Sequence, residues 1–291
     1  MGKQSVYEMV TDRIIAELKT GRIPWEKPWT GGYSAWSRST GKPYSFINQL
    51  MLPAGEYATY KQVQESGGNV KKGAKGYMVV FWKMIINSEK DEKGEEKISK
   101  FPMLRYYTVF NVETQCEGIT KKYNYDEIES VIGNPIEECE RVLADYISRS
   151  GVHYNTVKSG SAYYAPLIDS INMPLFEQFR TVEEYYSTAF HECAHSTGHS
   201  TRLARDGVTA LAGFGSEKYS KEELIAELTA SGILASLGVE TAKTFRNTAG
   251  YIQSWIKALQ DDVRMIVYAS SKADKALAMI LGVEVESEAE Q

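Results

Sequence analysis

The residues best suited to chemistry are two histidines and a glutamate in the run His191-Glu192-Cys193-Ala194-His195. Histidines four residues apart on a helix lie on one face, with their Cβ atoms about 5–6 Å apart. Both imidazoles can then bind one zinc ion through Zn–N bonds of about 2.0–2.1 Å. Glu192 would project near the open side of the ion, where it can act as the general base that activates a water, as in zinc peptidases. The alternative is a surface helix with two histidines and no ion.

The helix that must hold this motif has sequence signals at both ends. Thr181 and Glu184 have the spacing of a capping box, which predicts the start of the helix. Gly198 predicts its end, because glycine commonly follows the last helical turn. A buried face is predicted from apolar residues at helical spacing, which are Val182, Tyr185, Ala189 and Cys193.

A catalytic zinc site has three protein ligands and one open position, so a third ligand must come from elsewhere. The metzincin arrangement requires a histidine six residues after His195, but that residue is Thr201, which excludes the subclass. An acidic helix predicted at residues 221–237 offers two glutamates on one face. Glu227 is the favoured ligand, because the small residues after it resemble the second metal helix of gluzincins. Glu223 is the alternative, as the ligand or as the residue that orients a ligand histidine.

Two further features lie close to this motif in the sequence. His199 is eight residues after His191, which is about 12 Å along a straight helix, and Gly198 interrupts the helix before it. We therefore interpret His199 as a residue beside the ligands rather than as a ligand. Residues 168–174 alternate between apolar and polar side chains, which predicts a half-exposed edge strand whose free backbone groups can pair with an extended peptide.

Bulk composition indicates a soluble globular chain. With 291 residues, 43% of them hydrophobic and 24% charged, it is long enough for two domains with separate cores. It contains no run of about 18 apolar residues that would span a membrane, and residues 1–15 lack the apolar core of a signal peptide. The three cysteines have neither zinc-ribbon spacing nor a disulfide pattern. Together these features predict a cytoplasmic protein.

Charge is divided unequally between the two halves. Residues 1–125 carry 19 Lys and Arg against 13 Asp and Glu, whereas the remainder carries 14 against 25. A basic half with aromatic residues among its cations suits single-stranded DNA, since rings stack on bases and cations bind phosphates. The alternative is that the tryptophans fill a core and the lysines are merely solvated. The candidate DNA-binding residues are Trp25, Trp29, Trp36, Arg38, Lys42, Tyr44, Lys71, Lys72 and Lys75.

Hydrophobic periodicity predicts the elements that would position these residues. In the first half it predicts helices at residues 6–19 and 60–66 and strands at 77–86 and 101–112, with a charged hairpin tip at 87–100 between the strands. In the second half it predicts a helix at 136–148, short strands at 152–157 and 162–165, and two amphipathic helices within 243–281.

Several sequence blocks, in one order, resemble the ArdC-type antirestriction proteins of plasmids and other mobile elements. The blocks are PWEKPW, SRSTGKPYSFIN, TYKQVQESGGNVKKGAKG, VFNVETQCEG, AYYAPLIDSINMP, HECAHSTGHSTRLAR and YSKEELIAELTAS. The resemblance covers most of the chain and implies an N-terminal domain that binds single-stranded DNA and a C-terminal zincin-like metallopeptidase domain. Where the family has a Tyr-Arg-Gly-Ile-Asn block, residues 44–48 read YSFIN, without the arginine and the glycine.

The combined prediction is an α+β protein with a DNA-binding domain at residues 1–125 and a gluzincin-like metallopeptidase domain at 126–291. Zinc would be held by His191, His195 and Glu227, with Glu192 as the general base for hydrolysis of a peptide bond. The expected partners are single-stranded DNA and an unidentified protein substrate, with a component of a restriction system as the candidate. The alternative function is a non-enzymatic decoy that coats DNA or occludes a restriction enzyme and uses zinc only as a structural ion.

Overall fold

The computed structural model describes residues 4–26, 35–90, 96–123, 134–209, 217–239 and 249–284. Helices and sheets are mixed along the chain, which confirms the predicted α+β class. The helices are α1 (Val6–Lys19), α2 (Phe46–Met51), α3 (Tyr60–Glu65), α4 (Val112–Gln115), α5 (Pro135–Ser150), α6 (Val182–Thr197), α7 (Asp206–Thr209), α8 (Glu217–Ser236), α9 (Ala249–Asp261) and α10 (Met265–Leu281). The strands are β1 (Ala35–Ser37), β2 (Gly55–Ala58), β3 (Asn69–Val70), β4 (Tyr77–Lys90), β5 (Glu96–Asn111), β6 (Cys116–Glu117), β7 (His153–Val157), β8 (Tyr163–Ala165) and β9 (Ser170–Pro174).

The first half is built around a long antiparallel ribbon. β4 and β5 pair without a break from Tyr77 opposite Val109 to Lys90 opposite Glu96, as their aromatic and β-branched residues favour. The four-stranded sheet has the order β1-β2-β5-β4. The predicted tip at 87–100 is therefore mostly strand, because pairing continues beyond the apolar run that marked the strands in the sequence. Residues 91–95 lie outside the described part.

A buried side-chain amide fixes the free edge of this ribbon to α2. Asn48, which is fully buried, donates from Nδ2 to the Val80 carbonyl and accepts from the Val80 backbone N–H on Oδ1, both at 2.8 Å. Its amide thus takes the place of a neighbouring strand at this point of β4. The asparagine of the YSFIN block has a structural role here.

One hydrophobic cluster joins the two halves of the chain. Residues of α1, including Val10 and Ile14, pack in the same cluster as Ile225 of α8, together with residues of α9 and α10. The ring of Trp25 lies edge-on to that of Trp255, with centroids 6.1 Å apart. In this cluster α1 covers the apolar faces of the C-terminal helices. Each half also has buried clusters of its own, so the length of the chain suggested the separate cores but not the shared one. The predicted boundary between residues 125 and 126 lies outside the described residues and stays a prediction.

A second cluster supports the helix pair that carries the histidines and the glutamates. α6 and α8 pack through small side chains that are almost completely buried, among them Ala189, Ala194, Ala226 and Ala230. Small residues at a contact let two helix axes approach closely. Polar side chains on the facing surfaces of α6 and α8 can therefore come close to one another.

The small sheet beside α6 differs from the prediction. β9 is its middle strand, parallel to β7 and antiparallel to β8, and four of its five residues are buried. The predicted edge strand at residues 168–174 is therefore wrong, since partners on both sides occupy its backbone groups. Ile168 itself ends a short 3₁₀ turn, Pro166–Ile168, before the strand. Among the described residues, no helix is long and apolar enough to cross a membrane.

Candidate metal centre

The first helix of the site begins and ends as its sequence signals predict. The hydroxyl of Thr181 accepts a hydrogen bond from the Glu184 backbone N–H at 3.1 Å, whereas the Glu184 carboxylate accepts from the Arg180 N–H rather than from Thr181. Gly198 caps the other end of α6, with its N–H directed to the carbonyls of His195 and Ser196. The two histidines consequently lie in the last turns of a well-defined helix.

Three side chains from two helices converge to form a candidate metal centre. Nε2 of His191 and Nε2 of His195 are 3.1 Å apart. A carboxylate oxygen of Glu223 on α8 lies 3.6 Å from the His191 nitrogen, and the other lies 3.4 Å from the His195 nitrogen. Their possible ligand atoms all lie within 4.8 Å of one another, and all three residues are partly buried.

This donor set fits a divalent cation. Two atoms bonded to one tetrahedral zinc at about 2.0–2.1 Å are about 3.3 Å apart, and the observed separations are 3.1–3.6 Å. Two imidazoles and one carboxylate are a known ligand set of catalytic zinc, which leaves a fourth position open. The residues therefore suit the metal that the sequence motif implied.

The structure brings Glu223, rather than Glu227, to the two histidines. The sequence-based preference for Glu227 is therefore corrected, since among the described residues Glu223, and not Glu227, joins the group of ligand atoms. Burial raises the pKa of Glu227, although the nearby His191 and the Tyr251 hydroxyl oppose the rise. Burial also acts to raise the pKa of Glu223, but hydrogen bonds from the histidines outweigh it and leave that pKa well below its ordinary value. Glu223 is thus the carboxylate kept in its anionic, metal-binding form.

A buried ion pair lies behind His195. Glu222 is 4% exposed and accepts two hydrogen bonds from Arg205, at 2.9 Å and 2.5 Å. Oε1 of Glu222 also lies 3.3 Å from Nδ1 of His195. Arg205 is held in turn by Thr197 and by the Ala194 carbonyl. The sequence suggests a salt bridge between an arginine after the motif and the acidic helix, but the glutamate that accepts it depends on how α6 and α8 pack.

This hydrogen-bond network determines the direction in which the pKa of His195 is shifted. Burial, the largest influence, lowers the pKa of His195, but hydrogen bonds to Glu222 and Glu223 outweigh it and raise the pKa to about 10. Burial likewise acts to raise the pKa of Glu222, while Arg205 and His195 bring it below its ordinary value. An anionic Glu222 that accepts from Nδ1 leaves Nε2 of His195 directed to the metal position.

The remaining candidates of the motif are placed differently. Glu192 is 7% exposed and directly follows His191 on α6. His199 lies beyond the cap and outside the group of ligand atoms, and its Nδ1 lies 2.8 Å from the Thr201 hydroxyl. His199 is thus outside this group of ligand atoms, and a role for it beside the ligands stays a prediction.

An arginine after α6 connects the end of this helix to the small sheet. The guanidinium of Arg202 donates to the Ser196 carbonyl at 2.7 Å, to the Ser150 carbonyl at 3.3 Å and to both carboxylate oxygens of Asp169. Asp169 adopts a positive φ of 47°, and its carboxylate also accepts from the Tyr164 hydroxyl at 2.8 Å. Helix end, sheet and preceding turn are therefore held together by one cation.

Of the nine candidate DNA-binding residues, three are engaged in contacts within the protein. Trp25 is fully buried and Tyr44 is 7% exposed, so neither ring can stack on a base and both predictions are wrong. Arg38 forms an ion pair with the fully buried Glu56 at 2.5 Å and donates to the Thr120 carbonyl. Its charge therefore neutralises Glu56 rather than a phosphate.

The other six candidates stay predictions. The side chains of Lys42, Lys71, Lys72 and Lys75 are exposed, Trp36 is partly buried, and Trp29 lies outside the described residues. The loop that carries Lys71, Lys72 and Lys75 leads directly into β4. These lysines therefore lie at the base of the ribbon.

The fold and the metal centre together define a zincin-like metallopeptidase domain joined to a smaller mixed domain. Residues 141–272 match the model of a zincin-like metallopeptidase family, and residues 4–110 match that of the N-terminal domain of anti-restriction factor ArdC. The chain belongs to the ArdC antirestriction family, as the resemblance in its sequence indicated.

Solved structures support this membership. The metal-free crystal structure of the antirestriction ArdC protein from the R388 plasmid is 34% identical, with a TM-score of 0.70, and the match covers 95% of this chain and 97% of that one. The Mn(II)-bound structure of that protein is 33% identical, with a TM-score of 0.72, and covers 96% and 98%. The family thus implies a divalent metal at this centre.

Curated relatives include proteins much longer than this chain. A DNA primase TraC of Escherichia coli is 34% identical over 99% of this chain, which spans only 28% of that protein. An uncharacterised protein of Sinorhizobium fredii, y4eC, is 34% identical over 93% of this chain and 89% of its own length. The chain therefore corresponds to about a quarter of the primase and to nearly all of the second protein.

Proposed function

We propose that this chain is a zinc-dependent peptidase that acts in antirestriction and binds single-stranded DNA through its first half. The observation that carries the proposal is the convergence of His191, His195 and Glu223 beside Glu192. A histidine pair with an adjacent glutamate on one helix, and a carboxylate from a second helix, is the arrangement of a hydrolytic zinc centre. Membership of the ArdC family supplies the antirestriction context. The cytoplasm, where restriction acts on incoming DNA, is the expected compartment.

In this proposal His191, His195 and Glu223 hold the ion, and Glu222 holds His195 with Nε2 directed to it. A divalent cation held there would supply Lewis-acid chemistry to the scissile carbonyl and to the attacking water. Glu192 accepts the proton of that water and passes it to the leaving amine. Arg205 keeps Glu222 anionic, so that the His195 ring keeps its tautomer during the proton transfers.

The DNA-binding part of the proposal rests on the charge and composition of the first half. That half carries more Lys and Arg than Asp and Glu, while the half with the metal centre is acidic. Its exposed lysines at the base of the ribbon suit a phosphate backbone. The proposed protein target is a component of a restriction system. Membership of an antirestriction family favours this substrate class over others.

The proposal can be tested by transferring unmodified DNA into a restricting host that supplies either wild-type protein or Glu192→Gln. General-base catalysis contributes about 10²–10⁴-fold, so the variant should protect the DNA no better than an empty vector. It should still contain metal and bind DNA, because Glu192 is not a ligand and lies in the other half. Full protection by metal-loaded Glu192→Gln would instead favour the non-enzymatic decoy with a structural ion.

A further inference from the structure

The ribbon of β4 and β5 extends beyond the sheet to which it belongs. Within the described residues, β5 pairs with β2 only through Asn111 and Phe110, whereas it pairs with β4 from Glu96 to Val109. From Phe81 and Arg105 outward the ribbon therefore has two strands only, and successive side chains point to opposite faces.

The two faces of this outer ribbon differ in their contacts. One face turns to α1, since Val80 and Leu104 are buried in the shared core and the Trp82 ring lies 6.4 Å from that of Tyr7. The opposite face, which we call the ladder face, consists of Phe81, Lys83, Ile85, Phe101, Met103 and Arg105. At its base the rings of Phe81 and Tyr107 are 5.5 Å apart.

The ladder face combines rings with uncompensated positive charge. Lys83 and Arg105 are exposed, and neither forms an ion pair with a carboxylate in the part of the chain that the structure describes. The sequence of both strands over residues 77–88 and 97–109 contains four cations and no Asp or Glu, in a chain whose net charge is −5. Phe101 is 40% exposed and lies opposite Ile85 in the register.

This chemistry fits a polyanion that also presents flat apolar groups. Aromatic rings gain by stacking on unpaired bases, and cations beside them bind the phosphates that link those bases. Residues on one face of a strand repeat about every 6.8 Å, which is about twice the 3.4 Å spacing of stacked nucleotides. A side-chain ring inserted between two neighbouring bases separates those bases to about 6.8 Å. A duplex keeps its bases stacked and cannot use the rings in this way.

We propose that the ladder face is a binding site for a single nucleic-acid strand, in which Phe101 and Phe81 stack on bases and Lys83 and Arg105 bind phosphates. The inference rests on the proposed DNA-binding function. It assigns that function to a surface that contains none of the nine candidate residues predicted from the sequence. The lysine loop at the base of the ribbon continues the positive path toward the body of the protein.

The experiment uses the full chain and two matched double variants. Phe101→Ala with Arg105→Gln removes one ring and one charge from the ladder face. Ile86→Ala with Lys100→Gln removes one large apolar side chain and one charge from the opposite face, where these two residues are paired. Ile86 is 62% exposed and Phe101 is 40% exposed, so neither variant should disturb the core. Fluorescence anisotropy with a labelled oligothymidylate of about 20 nucleotides gives Kd at several salt concentrations.

The ladder-face variant should bind at least about tenfold more weakly, from the loss of one stacking ring and one phosphate contact. Its plot of log K against log salt should be shallower by about 0.7. The opposite-face variant should keep the wild-type affinity and slope. An oligouridylate of equal length distinguishes RNA from DNA as the source of the strand.

Equal weakening by the two variants, or none by the ladder-face variant, overturns the assignment of this surface while leaving the proposed DNA-binding function intact. Tighter binding of a duplex than of the single strand also overturns it. A wild-type protein that binds no oligonucleotide refutes both the surface and the proposed function. An apolar, basic ribbon with no affinity for nucleic acid would then be a surface for an acidic protein.

Discussion

Glu223 and Glu227 lie one helical turn apart on α8, yet their environments are opposite in character. Glu223 faces two imidazoles, which favour its anion, whereas burial favours the neutral form of Glu227. A sequence places both on one helical face, but it does not give the rotation of α8 relative to α6. That rotation, set by the packing of small residues such as Ala194 and Ala226, selects the carboxylate that can bind a cation.

Separate substitutions of the two glutamates test this selection. Glu223→Ala should release most of the metal from the purified protein, because it removes one of three ligands. Glu227→Gln should keep the metal, since a buried amide resembles the protonated carboxyl that burial favours. Metal analysis by mass spectrometry of both proteins, beside His195→Ala as a metal-free reference, provides the measurement. Loss of metal from Glu227→Gln alone would restore Glu227 as the ligand.

From the Glu222–Arg205 ion pair we expect a second effect, a partial loss of metal affinity. Glu222→Gln keeps the shape of the side chain but weakens its hold on Nδ1 of His195, so the metal affinity should fall by about 10–100-fold. Competition with a chelator measures that affinity. Asp206→Asn, an exposed change on α7 beside Arg205, is the matched control and should leave it unchanged. Unaltered affinity in Glu222→Gln would mean that the pair only stabilises the fold, which thermal unfolding of the metal-free proteins would reveal.

At the scale of elements, the end of α6 depends on the ion pair between Arg202 and Asp169. Burial alone would raise the pKa of Asp169, but the hydrogen bonds from Arg202 and Tyr164 leave it below its ordinary value. A carboxylate with a lowered pKa in the folded state stabilises the protein above its unfolded pKa of about 3.9, and that contribution is lost as pH falls further.

We expect Asp169→Asn to lower the free energy of unfolding by about 1–3 kcal/mol at neutral pH, because it leaves Arg202 without its anion. The difference from wild type should diminish as pH falls below about 4, where the wild-type carboxylate also takes up a proton. Denaturant unfolding followed by circular dichroism at several pH values measures both quantities. A difference that stays constant down to low pH would argue against the ion pair.

Local sequence signals predicted individual helices and strands better than they predicted which elements pack against one another. The helix at residues 6–19 is confirmed because its start, apolar face and stop are all encoded within one segment, from Ser5 to Gly21. The alternation of residues 168–174 predicts an edge strand because it describes one strand alone, whereas the position of β9 between β7 and β8 depends on segments that precede it in the chain. Trp25 looked available for stacking, yet it is buried by Trp255, some 230 residues later. The metal pair His191 and His195 was predictable, since helical spacing alone brings the two together.

At the scale of the whole molecule, the two halves should fold as one unit. The cluster that contains Val10, Ile14 and Trp25 also contains Ile225 and Trp255, and the Ser231 hydroxyl on α8 donates to the Trp25 carbonyl. A fragment of residues 1–125 would expose all of that surface and should show no cooperative thermal transition. In the intact chain, Ile225→Ala should cost about 2–5 kcal/mol.

The unfolding of Ile225→Ala can be followed by tryptophan fluorescence, by oligonucleotide binding and by retention of metal. Because both halves share the cluster, the three signals should be lost together, at one unfolding midpoint that is lower than that of the wild type. Two separated transitions, or a fragment 1–125 that unfolds cooperatively, would show that the halves are independent.

The shared cluster also restricts how such genes can diverge. A recombination event near codon 125 would join the α1 of one protein to the α8, α9 and α10 of another. The cluster residues contributed by one parent protein would then have to pack against those contributed by the other, although the two sets had not been selected together. We therefore expect substitutions on the two sides of the cluster to occur in compensating pairs, and exchange of one half between distant relatives to destabilise the protein.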